Sequence, residues 1–434
     1  MSTRREALGA LLLPMLPGAC APHAIRGAAP RSPAPPPGTS PADVARDETY
    51  WAEVARAFTV DRTAINLNNA AVSPSPAVVQ EAMARQLALA NSFPTADVLW
   101  GQAPPLKEVV RRRLAAHWGV DPEEIAITRN GSEGLQICQM GFDLARGDEV
   151  LATTQDYPRM LTTFKQRERR EGIVLRQITI PVPTEDLAQI VALYEANITP
   201  RTRLILVTHV LNLTGQVMPV REIVALGRKR GIPVIVDGAH SFAQFDYKIS
   251  DLDCDYFATS LHKWLAAPHG TGLLYVRRDK IRSLWPLTAA GPELADDIRK
   301  FEEVGTHPEA NALGIAEALT FHQAIGGAIK DARLRYLRDT WASRLLATKR
   351  VRLYTSLHPG PPRVSTGGVA LVDVAGFDPM KLWAHLWDRH RIQLGATVRD
   401  EFRGLRVSPN LYTTLEELDR FCTAVERVIR NGTL

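Results

Sequence analysis

The chain has 434 residues, of which 45% are hydrophobic, so it can form a large core and more than one domain. Its net charge is +5, and no basic stripe is interleaved with aromatic residues, which argues against a nucleic-acid partner. The four cysteines show no CxxC spacing, so neither a metal site nor a disulfide framework is expected.

The first residues have the features of an export signal. Arg4 and Arg5 precede an apolar run of about ten residues, which is too short to span a bilayer, and this predicts a Tat signal over residues 1–20 and a periplasmic location. "LPGAC" resembles a lipobox that would lipidate Cys20; cleavage by another signal peptidase is the alternative. Residues 21–45 are rich in proline and are predicted to be an extended, unpacked tether. Because the Tat route carries folded proteins, the signal favours a protein that acquires a cofactor before export.

Short apolar, β-branched runs alternate with helical patterns along the next segment of the chain. The runs span residues 124–128, 149–153, 173–178, 203–209, 233–237, 255–260 and 272–276. Several are almost continuously apolar, as are strands buried on both faces of a parallel sheet. We therefore predict an α/β domain over residues 46–306 with a seven-stranded, mostly parallel sheet.

The pattern changes from residue 307 onward. A long helical stretch is followed by the apolar segments "GGVALVDV", "RIQL" and "LRVS", with helical patterns between and after them. This predicts a smaller α+β domain over residues 307–434, with no transmembrane helix.

Polar residues follow the predicted strands where each strand ends. They are Gly131, Ser132, Tyr157, Asn212, Thr214, Asp237, His240, Ser260, His262 and Lys263. Ligands of such sheets bind outside the carboxyl ends of the strands. We therefore expect these residues to meet at one edge of the sheet and to form one site.

The residue types at this edge match the groups of pyridoxal phosphate. A buried lysine loses its proton near neutral pH and can then bind an aldehyde, as Lys263 would. A carboxylate at a strand end, such as Asp237, needs a cationic partner, which a protonated pyridine nitrogen supplies. A Gly-Ser turn that opens a helix, as at Gly131 and Ser132, offers free N–H groups to a phosphate. Pyridoxal phosphate carries all three groups.

The motifs "VDGAHS…TSLHKWLAAPHGTGLLYV", "ITRNGSEGLQ" and "RVSPNLYTTLEELDRF" resemble those of the class V aminotransferase family of fold-type I pyridoxal phosphate enzymes. The resemblance covers residues from about 60 to 432. Within the family the chain is most similar to the isopenicillin N epimerase-like branch, whose exported members include a periplasmic enzyme that tailors the siderophore pyoverdine.

The resemblance implies a role for each residue around the cofactor ring. Lys263 is the residue that binds the cofactor covalently, and it is also the general base. Asp237 pairs with the pyridine nitrogen, and His240 and Asn212 lie near the ring hydroxyl. Tyr157 stacks on the ring, at a position that is histidine in the desulfurase branch.

The resemblance also implies the phosphate and substrate contacts. The phosphate is held by Gly131, Ser132, Ser260 and His262. Thr306 resembles the threonine that reaches the phosphate of a neighbouring subunit, so a homodimer is expected. Arg406 matches the arginine that binds a substrate carboxylate, and Asn69 is expected on the substrate side. The alternative for Arg406 is a structural salt bridge with Glu416 or Glu417.

The absence of one residue type narrows the set of reactions that the enzyme could catalyse. Cysteine desulfurases carry a nucleophilic cysteine before the carboxylate-binding arginine, and the corresponding "RIQLGATVRDEFRGLRVS" has none. We therefore predict an exported enzyme that acts at the Cα of an amino-acid or peptide-like substrate, in the manner of an aminotransferase or epimerase. Two alternatives remain open: a C–S or C–N lyase on the same fold, and a non-catalytic tethered binding protein.

Overall fold

The computed structural model of the protein describes residues 33–358 and 360–434. The predicted export signal over residues 1–20, including Cys20, lies outside the described residues. Among the described residues, no helix is both long and apolar enough to cross a membrane.

The strands form a large sheet, a small sheet and one separate pair. In chain order the described strands are β1 (Ile65–Asn66), β2 (Ile125–Thr128), β3 (Glu149–Thr153), β4 (Val174–Ile178), β5 (Thr202–Thr208), β6 (Val234–Asp237), β7 (Tyr256–Ser260), β8 (Gly272–Val276), β9 (Val351–Leu353), β10 (Ala370–Val374), β11 (Ile392–Gln393), β12 (Gly395–Val398) and β13 (Arg403–Val407).

The helices cover both faces of the large sheet and one side of the small one. In chain order they are α1 (Pro41–Val44), α2 (Glu48–Arg56), α3 (Ala77–Ser92), α4 (Thr95–Asp97), α5 (Ala103–Trp118), α6 (Gly131–Gly141), α7 (Pro158–Glu171), α8 (Leu187–Asn197), α9 (Val220–Lys229), α10 (Arg278–Ile281), α11 (Glu309–Ile325), α12 (Gly327–Ala347), α13 (Pro379–His390) and α14 (Leu415–Asn431). A π-helix spans Val98–Gln102, and 3₁₀ turns span Pro122–Glu124, Ile249–Leu252, Pro292–Leu294 and Ile298–Glu302.

The large sheet has the strand order β2-β8-β7-β6-β5-β3-β4. The strands from β4 to β7 in this order run parallel, and β8 is antiparallel to both of its neighbours. These strands correspond one for one to the predicted apolar runs. The predicted α/β fold with a seven-stranded, mostly parallel sheet is therefore confirmed.

Alternate side chains of β5 face two different hydrophobic cores. Ile205 and Val207 pack into the larger core, together with residues of α9 and α11. Leu204 and Leu206 pack on the other face, with residues of α6 and α7. This double burial explains why the strand sequences are continuously apolar rather than alternating.

The small sheet is antiparallel, with the strand order β12-β13-β10-β9. Strands β10, β11 and β13 lie in the apolar segments that predicted this α+β unit, whereas β9 and β12 were not predicted from the sequence. β1 pairs in parallel with β11, so the segment after residue 60 joins the side of the small sheet.

Two predicted boundaries differ from the structure. Val44 is fully buried, and its carbonyl accepts a hydrogen bond from Trp51 Nε1 at 2.7 Å, so the packed chain begins before residue 46. The prediction that residues 21–45 are wholly unpacked is therefore wrong for α1 and the residue after it. Helix α11 begins after residue 307, but Ile315 and Leu319 pack into the core of the large sheet. The boundary at residue 307 therefore separates the large sheet from the small sheet, but the helix after it still belongs to the hydrophobic core of the large sheet.

One glycine beside the site is required by close packing, and its replacement gives a stability prediction. A Cβ on Gly238 would lie 1.9 Å from Phe257 Cζ, and the aromatic ring cannot withdraw from the core without a shift of the strand. Gly238→Ala should therefore lower the free energy of unfolding by about 1–3 kcal/mol, as overpacking does. Gly101→Ala is the control, because a Cβ there meets nothing within 4 Å. Urea unfolding followed by circular dichroism measures both variants, and equal stabilities would contradict the packing argument.

Candidate active site

A cavity lies at the carboxyl ends of the parallel strands, where the predicted residues were expected to meet. It is lined by Gly131, Ser132, Leu135, Tyr157, Thr208, Asn212, Asp237, Ala239, His240, Ser260 and Lys263. Most of the residues proposed from the sequence are thus brought together. The cavity forms because Asp237 ends β6 and pairs in register with Thr208 at the end of β5 and with Ala258 near the end of β7.

Lys263 is the basic group of the cavity. Its Nζ lies 3.1 Å from Nε2 of His240. Burial lowers the pKa of Lys263 to about 8, and the Arg406 guanidinium also acts to lower it, whereas Asp237 opposes the shift. Lys263 therefore has a substantial neutral fraction near physiological pH, which a nucleophilic or basic amine needs.

Asp237 is the acidic group of the cavity. The residue is only 3% exposed, and its Oδ1 accepts a hydrogen bond from the Ala239 amide at 2.9 Å. Within the described part of the chain the carboxylate forms no salt bridge, and burial raises its pKa. A buried carboxylate in this state favours a cationic ligand atom, because such an atom offsets the loss of hydration.

The first turn of α6 offers an anion site at the other end of the cavity. Asn130 caps the helix by accepting a hydrogen bond from the Glu133 amide at 2.8 Å. The Gly131 amide donates to Ser260 Oγ at 3.0 Å, which joins this turn to the end of β7. A Cβ at Gly131 would lie 2.8 Å from the Thr259 carbonyl carbon, so only glycine allows this approach. The Gly131 N–H, predicted to be free, is thus occupied, whereas the Ser132 N–H has no partner among the described residues, and helix N-termini bind phosphate through such free N–H groups.

Two further side chains present unpaired polar atoms to the cavity. Nδ1 of His240 and Oδ1 of Asn212 are buried and have no hydrogen-bond partner in the described residues. Burial, together with the charges of Lys263 and Arg406, lowers the pKa of His240 well below its ordinary value, so the imidazole is neutral. Buried polar atoms without partners are rare, which indicates that a polar ligand completes them.

Arg406 lies beside this group, on β13 of the small sheet. Its Nη1 donates to the Asn212 carbonyl at 3.1 Å and its Nη2 to Asn68 Oδ1 at 2.7 Å, while its buried Nε has no partner. Burial lowers the pKa of Arg406 to about 10. In the described part of the chain Arg406 forms no salt bridge with Glu416 or Glu417, and Glu417 lies 3.6 Å from Arg62. Arg406 is therefore available to bind an anion.

Asn69, which is predicted to lie on the substrate side, does not line the cavity. Its side chain is fully buried, its Nδ2 donates to the Asn66 and Ser408 carbonyls at 3.0 Å, and its Oδ1 accepts from the Tyr412 hydroxyl at 2.6 Å. These bonds occupy the amide and leave it nothing to offer a substrate. The neighbouring Asn68 holds Arg406 instead. The sequence could not show which of the two consecutive asparagines contacts Arg406, because only the pairing of Asn68 with Ser408 in the folded chain distinguishes them.

Two predicted phosphate contacts do not line the cavity. Nδ1 of His262 lies 3.0 Å from the Thr271 carbonyl, and burial lowers the pKa of His262 to about 4. Thr306 lies in an exposed loop between the turn Ile298–Glu302 and α11. The roles assigned to both residues stay predictions.

A second buried carboxylate was not found from the sequence. Asp156 is fully buried; its Oδ1 accepts from Thr208 Oγ1 at 2.5 Å and its Oδ2 from the Thr153 amide at 2.6 Å. Burial raises the pKa of Asp156 to about 6. Thr208 also lines the cavity, so Asp156 supports the wall next to Asp237. Its position directly before Tyr157, after a buried strand, was the available signal.

The arrangement fits pyridoxal phosphate. The helix N-terminus matches the phosphate, Asp237 the pyridine nitrogen, the unpaired atoms of His240 and Asn212 the ring hydroxyl, and Lys263 the aldehyde. Tyr157, which is 38% exposed, lies at the open side of the cavity, where a ring can stack.

Comparisons with known proteins agree with this fit. The model of the family "Aminotransferase class-V" matches residues 65–421. Isopenicillin N epimerase of Streptomyces clavuligerus is 34% identical over 392 residues, which cover 87% of this chain and 98% of the relative. A probable cysteine desulfurase of Synechocystis sp. is 26% identical over 393 residues, covering 84% of this chain and 91% of the relative.

Solved structures show the same fold. A C-DES variant with glycine covalently linked to the PLP cofactor superposes with a TM-score of 0.74 at 24% identity, covering 85% of this chain and 98% of that one. With the family match and the geometry of the cavity taken together, the chain belongs to the class V aminotransferase family and is a pyridoxal phosphate-dependent enzyme.

Proposed function

We propose that this enzyme acts at the Cα of an amino-acid or peptide-like substrate that carries a free α-amino group and a carboxylate. The observation that carries the proposal is the buried Arg406 guanidinium, which lies beside the Lys263–Asp237 cavity and has no carboxylate partner among the described residues. A planar guanidinium with donors left over matches a carboxylate in geometry and charge.

Each side chain then has a separate task. Arg406, which is held by Asn68, would bind the carboxylate and so fix the orientation of the bonds at Cα. Asp237 would stabilise the protonated form of the ring nitrogen, and that cation would in turn favour the carboxylate form that burial disfavours. Lys263, with its lowered pKa, removes or returns the proton at Cα. When bound, pyridoxal phosphate withdraws electrons from the bonds at Cα, which makes that proton acidic.

The region that holds the catalytic cysteine in desulfurases supports an epimerase-like or aminotransferase-like reaction over desulfuration. Residues 391–408 contain no cysteine and form β11, β12 and β13. The cysteines of the described residues, Cys138, Cys254 and Cys422, are all buried. The similarity to isopenicillin N epimerase supports a substrate whose Cα is a stereocentre within a peptide-like molecule. A siderophore side chain is a substrate of this class.

A C–S or C–N lyase is the second candidate. Elimination begins with loss of the same Cα proton, so Lys263, Asp237 and Arg406 serve it equally well. A search for ammonia released together with pyruvate from candidate amino acids identifies elimination, because epimerisation releases neither product and transamination releases a 2-oxo acid without free ammonia.

The place of action is proposed from the N-terminal sequence. The pair Arg4-Arg5 supports Tat export of the folded enzyme with its cofactor to the periplasm, and "LPGAC" supports lipid anchoring at Cys20. A homodimer is proposed as well, in which exposed Thr306 of each subunit reaches the phosphate of the other.

Replacement of Arg406 tests the proposed substrate contact. Lysine keeps the positive charge but loses the planar fork, so Arg406→Lys should raise KM by about tenfold or more and lower kcat. The test substrate is the amino acid or peptide that changes the cofactor absorbance most strongly in a panel. The absorbance of the holoenzyme without substrate should stay unchanged, and the melting temperature, measured alongside, reports the loss of the bonds to Asn212 and Asn68 separately from KM. Arg403→Lys, on the same strand, is the control, and equal KM values for the two variants would reject the carboxylate role.

Replacement of both signal arginines tests export. Arg4→Lys combined with Arg5→Lys should retain the protein in the cytoplasm, because the Tat route requires the arginine pair whereas the Sec route tolerates lysine. Cell fractionation with immunoblotting measures the distribution. Cys20→Ala, made separately, should release the protein from the membrane fraction if Cys20 carries the lipid. Wild-type amounts of the double-lysine variant in the periplasm would contradict Tat export.

A further inference from the structure

The tip of the β12–β13 hairpin, residues 399–402, crosses from the small sheet to the loop that carries Tyr157. This tip is called the strap below. We propose that Arg399 and Glu401 of the strap are positioning residues that hold Tyr157 over the cofactor cavity and fix its place relative to Arg406. The proposal deepens the proposed function, because it names residues that shape the same site.

The strap binds one residue of the Tyr157 loop from two sides. Arg399 Nη1 donates to the Thr154 carbonyl at 2.8 Å, and the Thr154 hydroxyl donates to Glu401 Oε1. The strap itself is closed by the Arg399 amide, which donates to the Phe402 carbonyl at 2.9 Å. The Arg399 guanidinium also lies 5.9 Å from the centre of the Phe402 ring. Thr154 is therefore bound to the strap through both its carbonyl and its hydroxyl, and the strap is itself closed by the bond between Arg399 and Phe402.

The rest of the Tyr157 loop is fixed from within the large domain. Asp156 joins the Thr153 amide to the Thr208 hydroxyl, and Gln155 Nε2 donates to the Ile180 carbonyl at 2.7 Å. Asp156 and Gln155 are buried, whereas Thr154 is half-buried. Thr154 is thus the position of this loop where the small sheet can influence the direction of Tyr157.

The strap and Arg406 lie at two points along one ribbon. β12 and β13 pair from Gly395–Arg406 to Val398–Arg403, so the hairpin is continuous between them. Phe402 and Arg406 are four residue steps apart, which is roughly 14 Å along an extended strand. Arg406 contacts the large domain at the Asn212 carbonyl, and the strap contacts it at Thr154. These two contacts, at the two ends of one continuous β-hairpin, fix the distance between Arg406 and Tyr157.

A strap that only stabilises the fold and a strap that positions Tyr157 lead to different expected effects of mutation on global stability and on local amide exchange. Half-exposed polar contacts add little to global stability, because water competes for the same groups. Their loss should instead appear as local opening of the loop they hold, which amide hydrogen exchange detects. Neither exchange nor cofactor binding depends on which reaction the enzyme catalyses, so a failure here is separate from a failure of the proposed function.

The test uses the full-length holoenzyme and the double variant Arg399→Ala with Glu401→Ala. Amide exchange in residues 154–157 should accelerate about tenfold, as for a locally opened segment, and the dissociation constant for pyridoxal phosphate should rise by about three- to tenfold. The melting temperature of the cofactor-free protein should match that of the control Arg403→Ala. Arg403 lies on the same hairpin but bonds to the Phe377 carbonyl at 3.0 Å and pairs with Asp373.

Thr154→Val supplies a second, milder test, because it removes the hydroxyl and keeps the shape of the side chain. In the otherwise wild-type protein, Thr154→Val should accelerate amide exchange in residues 154–157 by part of the amount seen in the double variant. Introduced into the double variant, it should cause no further acceleration. Exchange and cofactor affinity equal to those of Arg403→Ala would overturn the proposal. A lowered melting temperature with unchanged exchange in residues 154–157 would also overturn it, by showing that the strap only stabilises the fold.

Discussion

The site depends on burying three ionisable side chains in one place without pairing them in salt bridges. Among the described residues Asp237, Lys263 and Arg406 form no salt bridge, although each is largely removed from water. Burying charged groups in this way destabilises the fold by several kcal/mol, which the surrounding cores must offset. The same burial sets the chemistry, because it lowers the pKa of Lys263 and leaves Asp237 and Arg406 able to gain from a ligand of opposite charge.

Each of the two sheets supplies part of this set of buried ionisable side chains. Parallel strands of the large sheet bring Lys263 and Asp237 to one edge, because their carboxyl ends all meet there. The small sheet contributes Arg406, which reaches across to the Asn212 carbonyl. Close contact is also required between the loop after β5 and the residue before β10: Gly215 has a φ of +70°, and a Cβ there would lie 2.1 Å from the Val369 carbonyl oxygen. The geometry of the site is therefore a property of the whole packed chain.

Sequence reasoning located the elements whose patterns are local. The strand "VIVD" is apolar until its last residue, so both its burial and the functional position of Asp237 followed from the pattern. The choice between Asn68 and Asn69 could not be made, because it depends on a bridge to Ser408, more than three hundred residues away. β12 was missed because its four residues, Gly395–Val398, are only partly buried or exposed and carry no clear alternation. The strap depends on a contact between distant loops, which no local pattern reveals.

The most direct test of the account is the site at which the cofactor is attached. Borohydride reduction of the holoenzyme, followed by proteolysis and mass spectrometry, should place the added mass of the reduced cofactor on the peptide that contains Lys263. Lys263→Ala should carry no such mass, while Asp237→Ala should still be labelled at Lys263, because Asp237 contacts the ring and not the attachment point. Label on a different lysine of the wild-type protein, or label that survives in Lys263→Ala, would contradict the assignment of this cavity as the active site.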